Sequence, residues 1–243
     1  ATSNGAFSGF AAGTVGPLSG LSLTAQVSRG FRDPALSDRY FRGPSGRGFI
    51  TGNPDLDPET SLQFDLSARY TLARTQIGVF YYDYRIDDLI ERYSTQTDFF
   101  FFRNRGEGHI SGFEIETRTD LGHGYTIELG GHVGRGELND DGSSLDDISP
   151  DTFLALLRKD FGQRAFGQVR MAIVAKDNRP GPSEIVAPGA NVIDLAGGWH
   201  FTPHLEVRGM VRNLLDDSYY ASPDPRWVWA PGRSASLTLG VQF

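Results

Sequence analysis

The side chains best suited to chemistry fall into a few small sets, and each set demands a particular placement. His109 and Ser111 offer a base and a hydroxyl, the pairing that ester or lipid hydrolysis needs. Two residues apart on a strand they share a face but sit about 6–7 Å from each other. No acidic residue that would orient the imidazole is evident. The run Asn139-Asp140-Asp141-Gly142 with Asp146-Asp147 collects the oxygen donors that calcium prefers, yet its spacing is not that of an EF-hand loop and suits a solvated loop. His200 and His204 would share a helix face, but Pro203 places a turn between them and argues against a metal pair. The chain has no cysteine, which excludes disulfides, thiolate metal sites and cysteine nucleophiles. No catalytic residue, metal site or cofactor is expected.

Binding chemistry is better represented. Arg226, Trp227 and Trp229 lie close in sequence to Tyr219 and Tyr220, combining a cation, stacking surfaces and hydroxyls. Such a set suits an aromatic or anionic chelate. The tyrosines, with Trp199, suit an aromatic girdle at a membrane interface equally well. Arg42 and Arg47, in a Gly-rich stretch, are candidates to meet an anionic ligand, or are simply solvated. Phe99 to Phe102 puts aromatics on both faces of one strand, as expected of a strand that projects beyond a membrane into packed loops, or of a hydrophobic ligand site.

The elements that must position these residues repeat with a period of two. Ala235, Leu237, Leu239, Val241 and Phe243 alternate with Ser236, Thr238, Gly240 and Gln242, giving one apolar and one small polar face. Leu62, Phe64, Leu66, Ala68, Tyr70 and Leu72 alternate with Gln63, Asp65, Ser67, Arg69 and Thr71 in the same way. Such runs predict about eleven strands, near 6–14, 21–31, 61–72, 75–92, 98–120, 125–136, 151–161, 164–176, 191–201, 205–213 and 233–243. Most have the roughly 9–11 residues that a tilted, bilayer-crossing strand needs, rather than the 5–6 or so of a soluble sheet. Short turns at 16–20, 73–74, 122–124, 162–163 and 202–203 alternate with longer polar segments at 32–60, 93–97, 137–150, 177–190 and 214–232. Alternating short and long connections are expected of outer-membrane barrels.

Composition is compatible with this. A formal net charge of −7 argues against nucleic acid as a partner. No apolar stretch approaches the roughly 18 residues of a transmembrane helix, and no signal peptide opens the chain, since residues 1–9 lack a basic start and an apolar core. Complete bacterial barrels have even strand numbers. Eleven strands, with a terminus facing the periplasm after Phe243, therefore predict part of a barrel whose other strands, comparable in number, lie N-terminal.

Five segments, spanning nearly the whole chain, resemble the C-terminal part of the TonB-dependent receptor family. Ser28 to Pro34 (SRGFRDP) resembles the stretch where a strand enters a large outer loop, and Gly52 to Ser61 (GNPDLDPETS) its "NPDLxPE" element. Gly108 to Glu114 (GHISGFE) resembles the "GxE" strand, Asn213 to Tyr220 (NLLDDSYY) the "NLFDxxY" element, and Pro231-Gly232-Arg233 through Phe243 the terminal strand. Leu215 departs from the pattern, standing where an aromatic is usual, and no plug domain or TonB box is present.

The resemblance implies an all-β, antiparallel transmembrane barrel, with this chain as half of 22 strands around a plug. It also implies outer-membrane localisation in a Gram-negative bacterium, contact with outer-membrane lipid, and uptake of a scarce nutrient (an iron–siderophore or similar chelate, or cobalamin). Energy would come from the TonB–ExbB–ExbD complex acting through a plug outside this chain, with no bond chemistry here. Arg69, Asp65, Glu114, Glu116, Arg118, Asp194, Glu206, Arg208 and Arg212 would face the plug or a wet lumen, because an arginine facing lipid at mid-membrane costs about 2–4 kcal/mol. Three rival readings follow: a passive porin without plug or energy coupling, an outer-membrane lipase, and a soluble β-sandwich adhesin. The "NPDLDPE" and "NLLDDSYY" elements favour the receptor.

Overall fold

The computed structural model describes residues 5–46, 48–220 and 229–242. Arg47, Arg226 and Trp227 therefore lie outside the described residues. Eleven antiparallel strands follow one another in a single sheet: β1 (Gly9–Leu18), β2 (Leu21–Arg32), β5 (Glu59–Leu72), β6 (Thr75–Gln96), β7 (Phe99–Gly122), β8 (Tyr125–Leu138), β9 (Thr152–Phe161), β10 (Ala165–Val174), β11 (Ala190–Thr202), β12 (Leu205–Arg212) and β13 (Ser234–Val241). Each strand pairs with its neighbour in sequence, apart from a detour between β2 and β5. That detour holds a short helix, α1 (Leu36–Tyr40), and the small hairpin β3 (Arg42–Ser45) and β4 (Gly48–Thr51).

The register explains why alternation was the dominant signal. Leu23, Ala68, Val79, Ile115, Gly131, Phe153 and Ile173 are successive cross-strand partners from β2 to β10. Three residues along, the other face carries Thr71, Gln76, Arg118, Glu128, Leu156, Arg170 and Asp194 as partners. A slip of one residue in any pair would reverse this segregation, so the pattern fixes the register. Large apolar side chains on the first face are open, with Leu237 79% exposed. An uncovered apolar surface of this extent is foreign to a monomer in water.

Most of the short turns, at 19–20, 73–74, 122–124 and 162–163, use left-handed backbone. His123 and Gly124 have φ of 53° and 80°, the geometry of a two-residue hairpin whose twist matches its strands. A side chain at Gly124 would run into the Asp160 carbonyl.

Three expectations need correction. β1 runs to Leu18 rather than ending near residue 14, because Pro17 is accommodated at a register shift between Val15 and Leu18, where a missing N–H costs no ladder bond. Residues 93–97 are not a long connection: β6 and β7 continue to a two-residue turn at Thr97–Asp98, and the excursion consists of extended ladder. The segment 32–60 is more than a connection, since it contains α1, β3 and β4 and the start of β5 at Glu59.

Candidate functional site

The polar face holds every wall residue singled out from sequence. Arg69 lies 3.5 Å from Glu116, Arg118 pairs with Glu128, and Arg170 lies 3.3 Å from Asp194. With Gly78 and Gly130 supplying no side chains, Arg69, Glu116, Arg118, Glu128 and Arg170 border a cleft of about 560 Å³. Nearer the long-loop end, Tyr84 donates to Asp65 at 3.1 Å, and Glu114 shares a second concavity of about 300 Å³ with Asp65, Tyr82 and Tyr84. Toward the short turns Arg208 meets Glu206 at 3.0 Å, and at the long-loop end of the same strand the Arg212 Nε donates to the Met210 sulfur at 3.2 Å. The "GxE" glycine has a physical reason. Tyr82 crosses the wall over Gly112 to reach His132 Nε2 at 3.1 Å, and a Cβ at Gly112 would collide with the Tyr82 ring and the Val133 carbonyl.

Beyond the long-loop end, the β6–β7 extension carries a packed module. β4 pairs in parallel with the start of β7, setting Phe49, Ile50 and Thr51 beside Phe99, Phe100 and Phe101. The four-phenylalanine run is thereby used on both faces: Phe99 lies 5.8 Å from Phe49, Phe101 5.9 Å from Tyr93, and Arg92 covers Phe100 at 5.2 Å. The "NPDLDPE" element docks on the same extension. Asn104 accepts from the Asp57 amide at 2.8 Å and donates to the Asp57 and Asp88 carbonyls at 2.9 and 2.7 Å. Leu56 is buried, and its carbonyl accepts from the buried Arg39 at 2.7 Å. Glu59 forms a two-pronged pair with Arg32 at 2.7 and 2.9 Å and also accepts the Ile90 amide. At the centre Glu91, 7% exposed, accepts from Arg103 at 2.7 Å and Arg105 at 3.0 Å. Arg105 continues to Asp140 and Asp141 of the next loop.

The acidic loop is committed to such contacts. Asp146 accepts the Ser183 amide and hydroxyl at 2.9 and 2.8 Å, while Glu184 accepts the amides of Asp147 and Gly181 at 2.7 and 2.8 Å. The loops 139–151 and 175–189 are thus locked together. Partial burial pushes the Glu184 carboxyl above its ordinary range, against those amides and with the help of Asp146 and Asp147. Hydrogen bonding to Ser143, aided by Arg105, holds Asp141 below its ordinary range. Among the described residues no group of three or more side chains is arranged to hold a metal ion.

Tyr219, Tyr220, Asp147 and Asp177 line a cavity of about 290 Å³ between the long loops. Tyr219 packs on Ala172, Ala190 and Val192 of the polar face, which removes it from an apolar-face girdle. Trp229 stacks on Tyr220 with ring centres 4.1 Å apart. Arg42 belongs to the β3–β4 module and shares no described contact with these rings. Trp199 lies instead on the apolar face near the short turns, 6.4 Å from Phe201. His200 faces Glu206 across the polar face at 3.5 Å. His109 does have an acidic partner, contrary to expectation: Asp83, from the neighbouring strand, lies 2.8 Å from its Nε2. Ser111 makes no described hydrogen bond to His109. Asp83, Glu91 and Asn104 escaped sequence reasoning because their partners come from cross-strand register rather than local spacing.

Comparisons with known proteins agree with this architecture. The family model described as TonB dependent receptor-like, beta-barrel matches residues 1–214. The vitamin B12 transporter BtuB of Vibrio vulnificus (strain YJ016) is 25% identical over 239 residues, covering 94% of this chain and 36% of that protein. The copper transporter OprC superposes with a TM-score of 0.82 at 21% identity, over 97% of this chain and 39% of its own. A mutant ferric enterobactin receptor, PfeA from Pseudomonas aeruginosa in complex with enterobactin, superposes with a TM-score of 0.77 at 18% identity, over 97% and 40%. The chain thus spans well under half the length of these relatives.

Proposed function

Because the chain belongs to the TonB-dependent receptor family, we propose that it forms eleven strands of the wall of an outer-membrane receptor that takes up a scarce nutrient with energy supplied through TonB. The nutrient is a metal chelate such as an iron–siderophore, or cobalamin. In this reading the apolar face meets lipid, the polar face meets a plug, and the long connections lie outside the cell. The observation that carries it is the register-matched segregation of the two faces, with charged partners on one side and an open apolar surface on the other.

Arg69, Glu116, Arg118, Asp65, Glu114, Arg208 and Arg212 are the plug-facing set. Their carboxylates and guanidinium groups lie largely in pairs, so they form a polar wall that a plug can slide from without leaving bare charges. Tyr219, Trp229 and the cavity between the outer loops are the ligand-capture candidates, with Arg42, Arg47, Arg226 and Trp227 as further residues of those loops. The test is uptake of radiolabelled cyanocobalamin and of ferric enterobactin by cells expressing the whole receptor, with and without functional TonB. Uptake of either that vanishes without TonB supports the proposal. Uptake that persists unchanged without TonB makes the protein a passive pore.

A further inference from the structure

Most carboxylates of the long loops are committed to a partner. Asp140 and Asp141 meet Arg105, Asp146 and Glu184 lock their loops together, and Asp216 and Asp217 accept the amides of Arg233 and Asn191. Asp147 and Asp177 differ, and both line the cavity of about 290 Å³ beside Tyr219 and Tyr220. The Asp147 carboxylate accepts no hydrogen bond and forms no ion pair among the described residues, although its own amide is held by Glu184. Asp177 is only 8% exposed. It accepts the Arg179 amide at 2.9 Å, yet no cation of the described residues lies within ion-pair distance of it. The guanidinium groups of the nearby strands are engaged elsewhere: Arg135 grips Asp151 at 2.6 and 2.8 Å, and Arg170 lies 3.3 Å from Asp194. A buried carboxylate normally has a cation to offset its lost hydration. Here no described residue supplies one, and the segment 137–150 adds five acidic residues without a single lysine or arginine.

The rest of the lining suits an organic cation better than a bare metal ion. Two carboxylates fall well short of the roughly six to eight oxygens that calcium takes. Tyr219 is held on Ala172, Ala190 and Val192, and Tyr220 stacks on Trp229 at 4.1 Å, so both rings are fixed at the cavity. Tyrosine rings attract ammonium groups, and Ile148 and Val174 supply apolar wall for an aliphatic stem. The volume lies just below the roughly 300–1,000 Å³ of a pocket that encloses a whole small molecule, so one end of a ligand fits. We propose that the cavity seats a protonated primary amine on an aliphatic arm, its ammonium between Asp147 and Asp177, and that the receptor's nutrient carries such an arm. The proposal rests on the reading of the chain as a receptor wall with ligand-capturing long loops, and it names the chemical class of the captured end. An anionic end is a poor occupant, since it would meet two carboxylates and no cation among the lining residues. The rival occupant is the chain's own Arg226, which lies outside the described residues but in the same loop as the two tyrosines.

The experiment applies saturation-transfer NMR to the whole receptor in deuterated detergent, with empty micelles as the blank. The probes are n-butylammonium, butyramide and butyrate, which share a four-carbon skeleton and differ in charge. Wild-type receptor should bind n-butylammonium in clear preference to the other two. Asp177→Asn, which keeps an acceptor for the Arg179 amide, and Asp147→Asn should each weaken that binding on the order of tenfold. Equal binding of the three probes, or amine binding undiminished in both variants, overturns the proposal. Amine binding that appears only in Arg226→Gln also overturns it, because the seat then belongs to the chain itself. Should Asp177→Asn fail to fold, Asp147→Asn decides alone, since that side chain holds no described contact. The two readings fail separately. TonB-dependent uptake without amine binding sinks the proposal alone, whereas amine binding with TonB-independent uptake sinks the receptor reading alone.

Discussion

Replacing Glu91 by alanine should loosen the tip of the β6–β7 extension and the loop that leans on it, leaving the rest of the wall intact. Glu91 accepts two charge-assisted hydrogen bonds, each worth about 1.5–3 kcal/mol when well shielded. The Arg103 bond is discounted to under about 1 kcal/mol, because that side chain is 44% exposed. Arg105 is only 17% exposed and keeps most of its value. Asp140 and Asp141 still neutralise Arg105 after the truncation, which limits the cost of a stranded charge. The net is about 2–3 kcal/mol of local stability, or roughly 30- to 150-fold more opening. Amide hydrogen exchange resolves this directly: residues 89–105 and 139–143 should exchange faster in Glu91→Ala, with β12 and β13 as internal controls. Glu91→Gln, which keeps an acceptor for one arginine, should lose about half as much. Unchanged exchange at 89–105, or equal acceleration in β12, would refute the assignment of Glu91 as the local hub.

Other consequences follow from the same geometry. Gly112→Ala should lower thermal stability by about 1–3 kcal/mol through overpacking against Tyr82, while Gly167→Ala, where a Cβ meets nothing within 4 Å, should stay close to wild type. Asp146→Ala removes both bonds to Ser183 and should raise exchange in 175–189 as well as in its own loop, by about 1–3 kcal/mol; a change confined to one loop would speak against a cross-lock. Glu184 and Asp141 respond to pH in opposite senses. The raised Glu184 binds its proton more tightly in the folded loop, so its contribution improves as pH falls from neutrality through its raised value and the ordinary range, and weakens as pH rises back. The lowered Asp141 contributes above the ordinary carboxylate pKa of about 3.9 and loses that contribution only as pH falls through its lowered value. Exchange measured between pH 7 and 5 should therefore show 175–189 at least as protected at the lower pH, with the Asp141 contact intact.

Alternation made the wall legible in the sequence. About eleven strands were expected and, among the described residues, eleven form the continuous path, because each is bound by a one-residue register rule with an apolar and a polar face. The exceptions have local causes. Gly16-Pro17 reads as a breaker, yet the irregular end of β1 accommodates it. The segment 33–58 carries prolines, glycines and aromatics without a period, and its order comes from surfaces it finds elsewhere, Asn104 and the Phe99–Phe101 edge above all. Wall residues such as Arg69 and Glu116 could be placed on a face, because period two does that. Their pairing could not, since Arg69 meets Glu116 from two strands away, across Gly78. The same holds for Asp83 beside His109, which are 26 residues apart in sequence.

The two-faced wall is tested most directly by placing single spin labels on neighbouring residues of opposite parity, in a chain that itself has no cysteine. Gln76 and Ile77, Thr126 and Ile127, and Gln168 and Val169 are consecutive residues on three separate strands. Each is replaced in turn by cysteine in the whole receptor, labelled, and measured in lipid for collision with oxygen, which concentrates in the bilayer. The account predicts high oxygen accessibility at Ile77→Cys, Ile127→Cys and Val169→Cys, and low accessibility at Gln76→Cys, Thr126→Cys and Gln168→Cys. Equal accessibility within each pair, or a reversed pattern, would contradict a barrel wall with lipid on the apolar side.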